Sequence, residues 1–328
     1  MGSMFARLSS RLATPGLIDR PTGKQVMEPC PFFDALRLTL LYQTWFGQLL
    51  LSLPLTWWFL SWQHHRVARY ADSHESRKSI KPFIKTYDID TSAAEKPVEA
   101  YATLQAFFTR RLKPGLRPLA APDNDAVAVQ PADSRCVVYD SIDAAHRFWI
   151  KGQHFSIAKL MGPGYDTTDH WQHAAVAINR LSPSDIHRLH ASVSGRVVRV
   201  ARRGTRFMAS EFAAVHSRMD IMVDNDRIVM EFDSKEFGTV VQVMIGASEV
   251  GSVMPLVKEG QHVKKGDEVA VFAYGGSIMV TLFGAGAITF DADLEAHSRA
   301  GKETLVTFAS SLGRATGRPH DHAPAGQQ

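Results

Sequence analysis

Two textures divide this chain of 328 residues. From Leu38 to Gln63 no residue is charged, and the stretch reads LTLLYQTWFGQLLLSLPLTWWFLSWQ before His64, His65 and Arg66. About 20 apolar residues cross a bilayer, so the length suffices. The quality is poorer, because Gln43, Gln48, Pro54 and several Ser and Thr interrupt the run. Trp45, Trp57, Trp58 and Trp62 are side chains typical of a membrane–water boundary. Three arrangements stay open: a spanning helix, a helix pair lying in the interface, or buried helices of the fold. The aromatic content favours the interface, and Arg66, Arg69 and Arg77 follow where anionic headgroups would be.

Ser79 to Tyr87 and Lys96 to Arg111 read as helical, ended by Pro114, Gly115 and Pro118. From Ala126 onward, short Val- and Ile-rich runs such as AVAVQ, SGRVVRVA, RIVMEF, GTVVQVMIG, EVAVF and SIMVTLF are punctuated by Gly and Asp and predict strands. Helical pattern there is sparse, at Ser156 to Met161 and Ser184 to His187. The expected class is α+β: an N-terminal helical, membrane-associating region on a β-rich body. The turn from Val257 to Asp267 resembles those of barrel-sandwich carrier domains such as biotinyl domains. No lysine stands in a Met-Lys-Met setting, so the likeness is one of geometry. The expected divisions are a tail or targeting segment over 1–37, the apolar helical region over 38–70, a main domain over 71–312, and a Gly-, Pro- and His-rich disordered tail over 313–328.

Composition narrows the function. The chain is 45% hydrophobic and 21% charged, ample for a sizeable core, with a net charge of +4. That small excess does not argue for nucleic acid but suits an anionic membrane surface. Cys30 and Cys136 are too few and too far apart for a disulfide framework, and no zinc-binding spacing occurs. Met1 to Gln25 carries Arg7, Arg11, Arg20 and Lys24 against one acid, Asp19, a weak likeness to a mitochondrial presequence broken by Pro15, Gly16 and Pro21.

Three places carry candidate chemistry. In Tyr274-Gly275-Gly276-Ser277-Ile278, two glycines permit backbone conformations closed to other residues, and a hydroxyl adjoins the Gly276 carbonyl. Attack by that hydroxyl would need a base and donors for the oxyanion. Read alone, Gly-Gly-Ser is more often a plain turn. His187 and His190 stand three apart and share a face if their segment is helical; surface histidines or a metal pair are the other readings. Asp133, in QPADSR, is a turn residue or an acid that orients a histidine. Asp, His and Ser form catalytic sets in several chain orders.

Taken together these segments resemble phosphatidylserine decarboxylase from about Leu40 to Leu312. The resemblance is carried in order by SIKPFIKTYDID, LQAFFTRRLKPGLRP, VQPADSRCVVYDSI, FWIKGQHFSIAKLMG, INRLSPSDIHRLHASVSG, DNDRIVMEF, GTVVQVMIGASEVGSV and EGQHVKKGDEVAVFAYGGSIMVTLF. The FWIKG and FSI segments are closer to the eukaryotic endomembrane branch. The resemblance implies a proenzyme that cuts itself between Gly276 and Ser277, giving a β chain to Gly276 and an α chain from Ser277 whose first residue becomes a pyruvoyl cofactor. It implies that His190 is the processing base, Asp133 its orienting acid, and His187 a participant in decarboxylation. The pyruvoyl carbonyl would form a Schiff base with phosphatidylserine in an anionic membrane, releasing CO2 and leaving phosphatidylethanolamine. The resemblance further implies a homodimer of processed units; the presequence-like start and the endomembrane-like motifs leave the mitochondrial inner membrane or an endomembrane as the expected place, and the residues offer no metal site. Ile278 stands where Thr or Ser is usual, Ile186 where Tyr is usual, and FMASEFAAVHS (207–217) lacks the family's Asn-Pro element. These departures leave two alternatives: a related decarboxylase of another amino acid, and a membrane-binding homologue that no longer processes itself.

Overall fold

The computed structural model describes residues 16–27, 36–148, 155–165, 171, 173–249 and 252–317. The strands of the described residues are β1 (Leu17–Asp19), β2 (Gln25–Val26), β3 (Val127–Val129), β4 (Ser134–Tyr139), β5 (Ala175–Leu181), β6 (Arg188–His190), β7 (Gly195–Arg203) and β8 (Arg227–Ser234). They continue with β9 (Gly238–Glu249), β10 (Val253–Pro255), β11 (His262–Val263), β12 (Glu268–Phe272), β13 (Gly275–Phe283), β14 (Ile288–Phe290), β15 (Glu303–Val306) and β16 (Ser311–Ala315). Ten of them form one sheet in the order β11-β7-β8-β9-β13-β5-β4-β15-β1-β2. Two three-stranded sheets, β10-β12-β6 and β14-β16-β3, lie apart from it.

The alternation of side chains along β13 explains the layering. Met279 and Phe283 join a core shared with Leu189, Ala270 and Phe272 of one small sheet and Ala128, Phe290 and Leu312 of the other. Ile278, Val280 and Leu282 point the other way, into a second core with Ile142, Ala145, Ile157, Leu160 and Met222 from short helices. The large sheet is thus apolar on both faces, covered by small sheets on one and helices on the other. The class is α+β as expected, but the described sheets close into no barrel.

The apolar N-terminal stretch does not form one helix. Leu53 is extended, and Pro54 opens a new helix in the first turn, where its missing N–H costs nothing. The products are Trp45–Ser52 and Pro54–Asp72, the second carrying His64, His65, Arg66 and Arg69. Among the described residues no helix is long and apolar enough to cross a membrane. Leu51 of the first helix, with Leu38 and Tyr42 from the turn before it, is core and packs on Met208, Ala209, Ala214 and Ile221. The other side of the pair is bare, with Trp45 76% and Leu55 74% exposed beside exposed Phe46 and Trp58.

Several local expectations are corrected. Lys96 to Arg111 is not a continuous helix; Tyr101 is extended, and Thr103 caps a new helix, Leu104–Phe108, by accepting from the Ala106 N–H at 3.1 Å. Ser184 to His187 is a turn leading into β6. Gly313 is no part of a disordered tail, since β16 pairs with β14 and β3; residues 318–328 lie outside the described residues. The expected N-terminal tail contains structure too. Leu17–Asp19 pairs in parallel with Glu303–Leu305. Beside it, the Arg20 guanidinium donates to Asp291 Oδ2 at 2.7 Å, to both carboxylate oxygens of Asp293 and to the Ser311 carbonyl. The rest of the presequence-like segment, residues 1–15, and Cys30 lie outside the described residues. Cys136 is fully buried, and burial pushes its thiol up to about 12, which fits an unreactive core group.

Candidate active site

β13 enters the large sheet between β5 and β9, and its first three residues are Gly275, Gly276 and Ser277. Gly275 pairs with Glu249 but Ser277 pairs with Gly246, so the register slips across Gly276. Gly275 has φ 138°, a region that side chains with a Cβ avoid. A bulge whose extra residue lies on β9 therefore faces Gly276, beside the peptide bond expected to break, and bulges commonly re-aim a side chain at such places. Ser277 lies opposite Leu181 on one side and Gly246, which has no side chain, on the other. It is fully buried, and its Oγ has no hydrogen-bond partner among the described residues. An enclosed, unbonded hydroxyl carries a desolvation cost, which marks the position for attention.

The two histidines are not neighbours on a helix. His190 ends β6 and His187 lies in the irregular segment just before it, so the helical spacing does not apply. His187 is fully buried with its ring 3.8 Å from that of Phe108, which packs in turn on Tyr274 at 5.1 Å. His190 stacks on Phe308 at 3.6 Å. The ring Nδ1 of His187 lies 3.1 Å from the Asp185 carbonyl, and that of His190 lies 3.1 Å from the Pro131 carbonyl. A carbonyl only accepts, so each imidazole carries its proton on Nδ1 and presents a lone pair at Nε2. Burial holds His187 down to about 3, helped by the Arg110 and Arg135 charges and opposed by the Asp185 bond. Burial holds His190 down to about 4, against the Pro131 bond and the carboxylates of Glu268 and Asp133. Both are neutral near pH 7, as a base must be. His187 Nε2 has no partner among the described residues.

Asp133 does not bond to His190. Arg117 grips its carboxylate with two hydrogen bonds, 3.1 and 2.7 Å, and the Phe308 N–H donates to it at 2.7 Å. Asp133 thereby fixes Phe308, the ring against His190, while the Pro131 carbonyl holds the imidazole itself. Among the described residues no hydrogen bond joins either histidine to Ser277. The turn before β6 is organised by Asp185, which pairs with Arg135 and accepts from the Ser182 N–H at 2.7 Å. Sequence reading missed Pro131, Arg117, Phe108 and Phe308. A backbone carbonyl has no residue signature, and aromatic shelves separated by 80 to 120 positions show no local pattern.

Two cavities flank this region. One of about 180 Å³ has His190, Phe308, Glu268, Arg117 and Arg188 in its wall. Another of about 340 Å³ lies between the N-terminal helices and the body, lined by Leu38, Leu41, Leu51, Leu60 and Phe207 and reaching Tyr274.

Fold and site define an α+β protein with a buried, unbonded serine opposite a β-bulge and two buried, neutral histidines. Residues 104–306 match the family model described as phosphatidylserine decarboxylase. The chain is 38% identical over 243 residues, 74% of its length, to phosphatidylserine decarboxylase proenzyme 3 of Schizosaccharomyces pombe. It is 36% identical over 303 residues to proenzyme 2 of Oryza sativa subsp. japonica, and 33% identical over 300 residues to the proenzyme of Chlamydia pneumoniae. It covers 25% of the fission-yeast protein and 48% of the rice protein, but 97% of the chlamydial one. The chain belongs to the phosphatidylserine decarboxylase family.

Proposed function

We propose that this chain cuts itself between Gly276 and Ser277 and then decarboxylates phosphatidylserine to phosphatidylethanolamine. The observation that carries the reading is the buried, unbonded Ser277 hydroxyl next to Gly276, opposite the β9 bulge. Its Oγ would add to the Gly276 carbonyl as His190 Nε2 takes the hydroxyl proton. The C–N bond breaks as that proton passes to the Ser277 nitrogen, leaving an ester. Loss of the Cα proton then expels the Gly276 carboxylate, and uptake of one water with release of one ammonia leaves the pyruvoyl group. Such base–hydroxyl contacts often tighten only as reaction proceeds, which accommodates the absent His190–Ser277 bond.

The site fits that group. It replaces a serine side chain in place, and Gly246 opposite leaves room beside it. A pyruvoyl carbonyl supplies the electron sink that decarboxylation of an α-amino acid needs. The chain's own part is exclusion of water by Phe108 and Tyr274, and a proton handled at His187 Nε2. The apolar cavity that ends at Tyr274, three residues before Ser277, supports a substrate with acyl chains. The exposed face of Trp45, Phe46, Leu55 and Trp58 supports docking at a lipid surface, either an endomembrane or the mitochondrial inner membrane. The test is CO2 release from vesicles containing phosphatidylserine, beside free serine and free tryptophan. Turnover of the lipid alone is expected; turnover of a free amino acid alone would overturn the substrate assignment.

A further inference from the structure

Resting on the reading of His190 as processing base, we propose that Glu268 is the positioning carboxylate that supports it. The two residues are directly paired across β12 and β6, and paired residues project to the same side. Immediately after Glu268 the register slips, Ala270 pairing with Leu189, so Val269 is the extra residue of a bulge that turns the pair out of the regular ladder. Glu268 and His190 share the wall of the 180 Å³ cavity.

Glu268 is held for this role. Its Oε2 accepts from Arg188 at 2.8 Å and from Arg111 at 2.9 Å. Both of these bonds fall on Oε2, and the two arginines keep the carboxylate ionised beside His190. Asp133, by contrast, spends both oxygens on Arg117 and the Phe308 N–H. The charged groups around His190 are Arg188 on its own strand, Glu268 on the neighbouring one, Asp133 before β4, and Arg111, Lys113 and Arg117 from the segment after the Leu104–Phe108 helix. Four cations face two carboxylates, so an imidazolium formed there depends on the anion nearest to it. Glu268 raises the basicity of His190 more than Asp133 does. As Ser277 Oγ bonds to the Gly276 carbon and its proton moves to His190 Nε2, Glu268 stays ionised, balances the new charge, and takes no proton itself.

The test follows cleavage of the full-length chain made by cell-free synthesis and then moved into buffers from about pH 3 to 8, a range that spans the value of about 4 at His190 and the ordinary imidazole range. Without the carboxylate His190 is a weaker base. Glu268→Gln is therefore expected to slow cleavage by about tenfold and to move the acid limb of its pH profile to lower pH. Glu268→Asp keeps the charge and is expected to keep the limb, with a smaller loss of rate. Comparing Ser277→Ala with the Ser277→Ala/Glu268→Gln double variant, both uncut, by thermal melting separates a folding defect from a chemical one. A Gln variant with the wild-type limb, or Asp and Gln variants whose limbs move equally, would overturn the role of Glu268 alone. A wild-type chain that never cleaves would overturn the self-cleavage reading beneath it.

Discussion

Each imidazole at this site gives its Nδ1 proton to a backbone carbonyl, and that arrangement decides how the residues can act. A carbonyl cannot titrate, so it fixes the tautomer across the whole pH range, while burial keeps the ring neutral. On the proposed reading, His190→Ala removes the base and is expected to slow self-cleavage by about 10²–10⁴-fold, read by gel from the appearance of the small chain. His187→Ala is expected to cleave normally and to lose most CO2 release; full turnover would exclude that role. The same burial has a stability consequence. His187, His190 and His64 have folded-state values of about 3, 4 and 4, below the ordinary 6.5. As pH falls through 6.5 the unfolded chain takes up protons that the folded chain refuses. Stability is therefore full above pH 6.5 and lost progressively down to about pH 4 to 3. Thermal midpoints measured against pH should show that fall, and His187→Gln should make it shallower. The serine was legible in the sequence through the ordered motifs around it, since Gly-Gly-Ser alone is more often a plain turn. Its pairing against Gly246 was not, because that depends on a register between strands 30 residues apart.

At the scale of elements, the N-terminal helices and the first two strands do different work. Pro54 and the extended Leu53 could be read locally, yet the docking of Leu38, Tyr42 and Leu51 on 208–221 is a tertiary fact that hydropathy does not contain. It sets which apolar side chains remain outside. Burying one such side chain in a lipid surface contributes about 1.5–3 kcal/mol. Trp58→Glu is expected to weaken vesicle binding by about tenfold to a hundredfold in a flotation assay. Self-cleavage should be unchanged; unaltered binding would reject this face as the membrane contact. The clasp of Leu17–Asp19 and Arg20 holds the stretch 291–311, which lies wholly after the proposed cut. Arg20→Ala is expected to cost about 1–2 kcal/mol, seen as a thermal midpoint lowered by about 2–4 °C. Its basic, Ser-containing surroundings resemble a presequence by composition alone. The hydrogen bonds that make residues 17–20 part of the sheet reach partners almost 300 positions away.

For the whole molecule, the proposed cut falls inside a sheet rather than between domains. The small chain would contain β13, paired on both sides with β5 and β9, together with β15 between β4 and β1 and β16 beside β3. Two chains interleaved in this way would stay together without a covalent link, and a cut molecule is expected to keep the architecture of the uncut one. The strand-rich body and its helical appendage could be read from alternating Val and Ile runs. The division into one large sheet and two small ones could not, since the runs of both kinds look alike and only pairing tells them apart. The central claim is self-cleavage at Gly276–Ser277, and the most direct measurement is the intact mass of the purified chain under reducing, denaturing conditions. Two chains meeting at that bond are predicted, the smaller lighter by one ammonia than a serine terminus would make it. A single chain of full mass, in protein that melts cooperatively, would contradict the account.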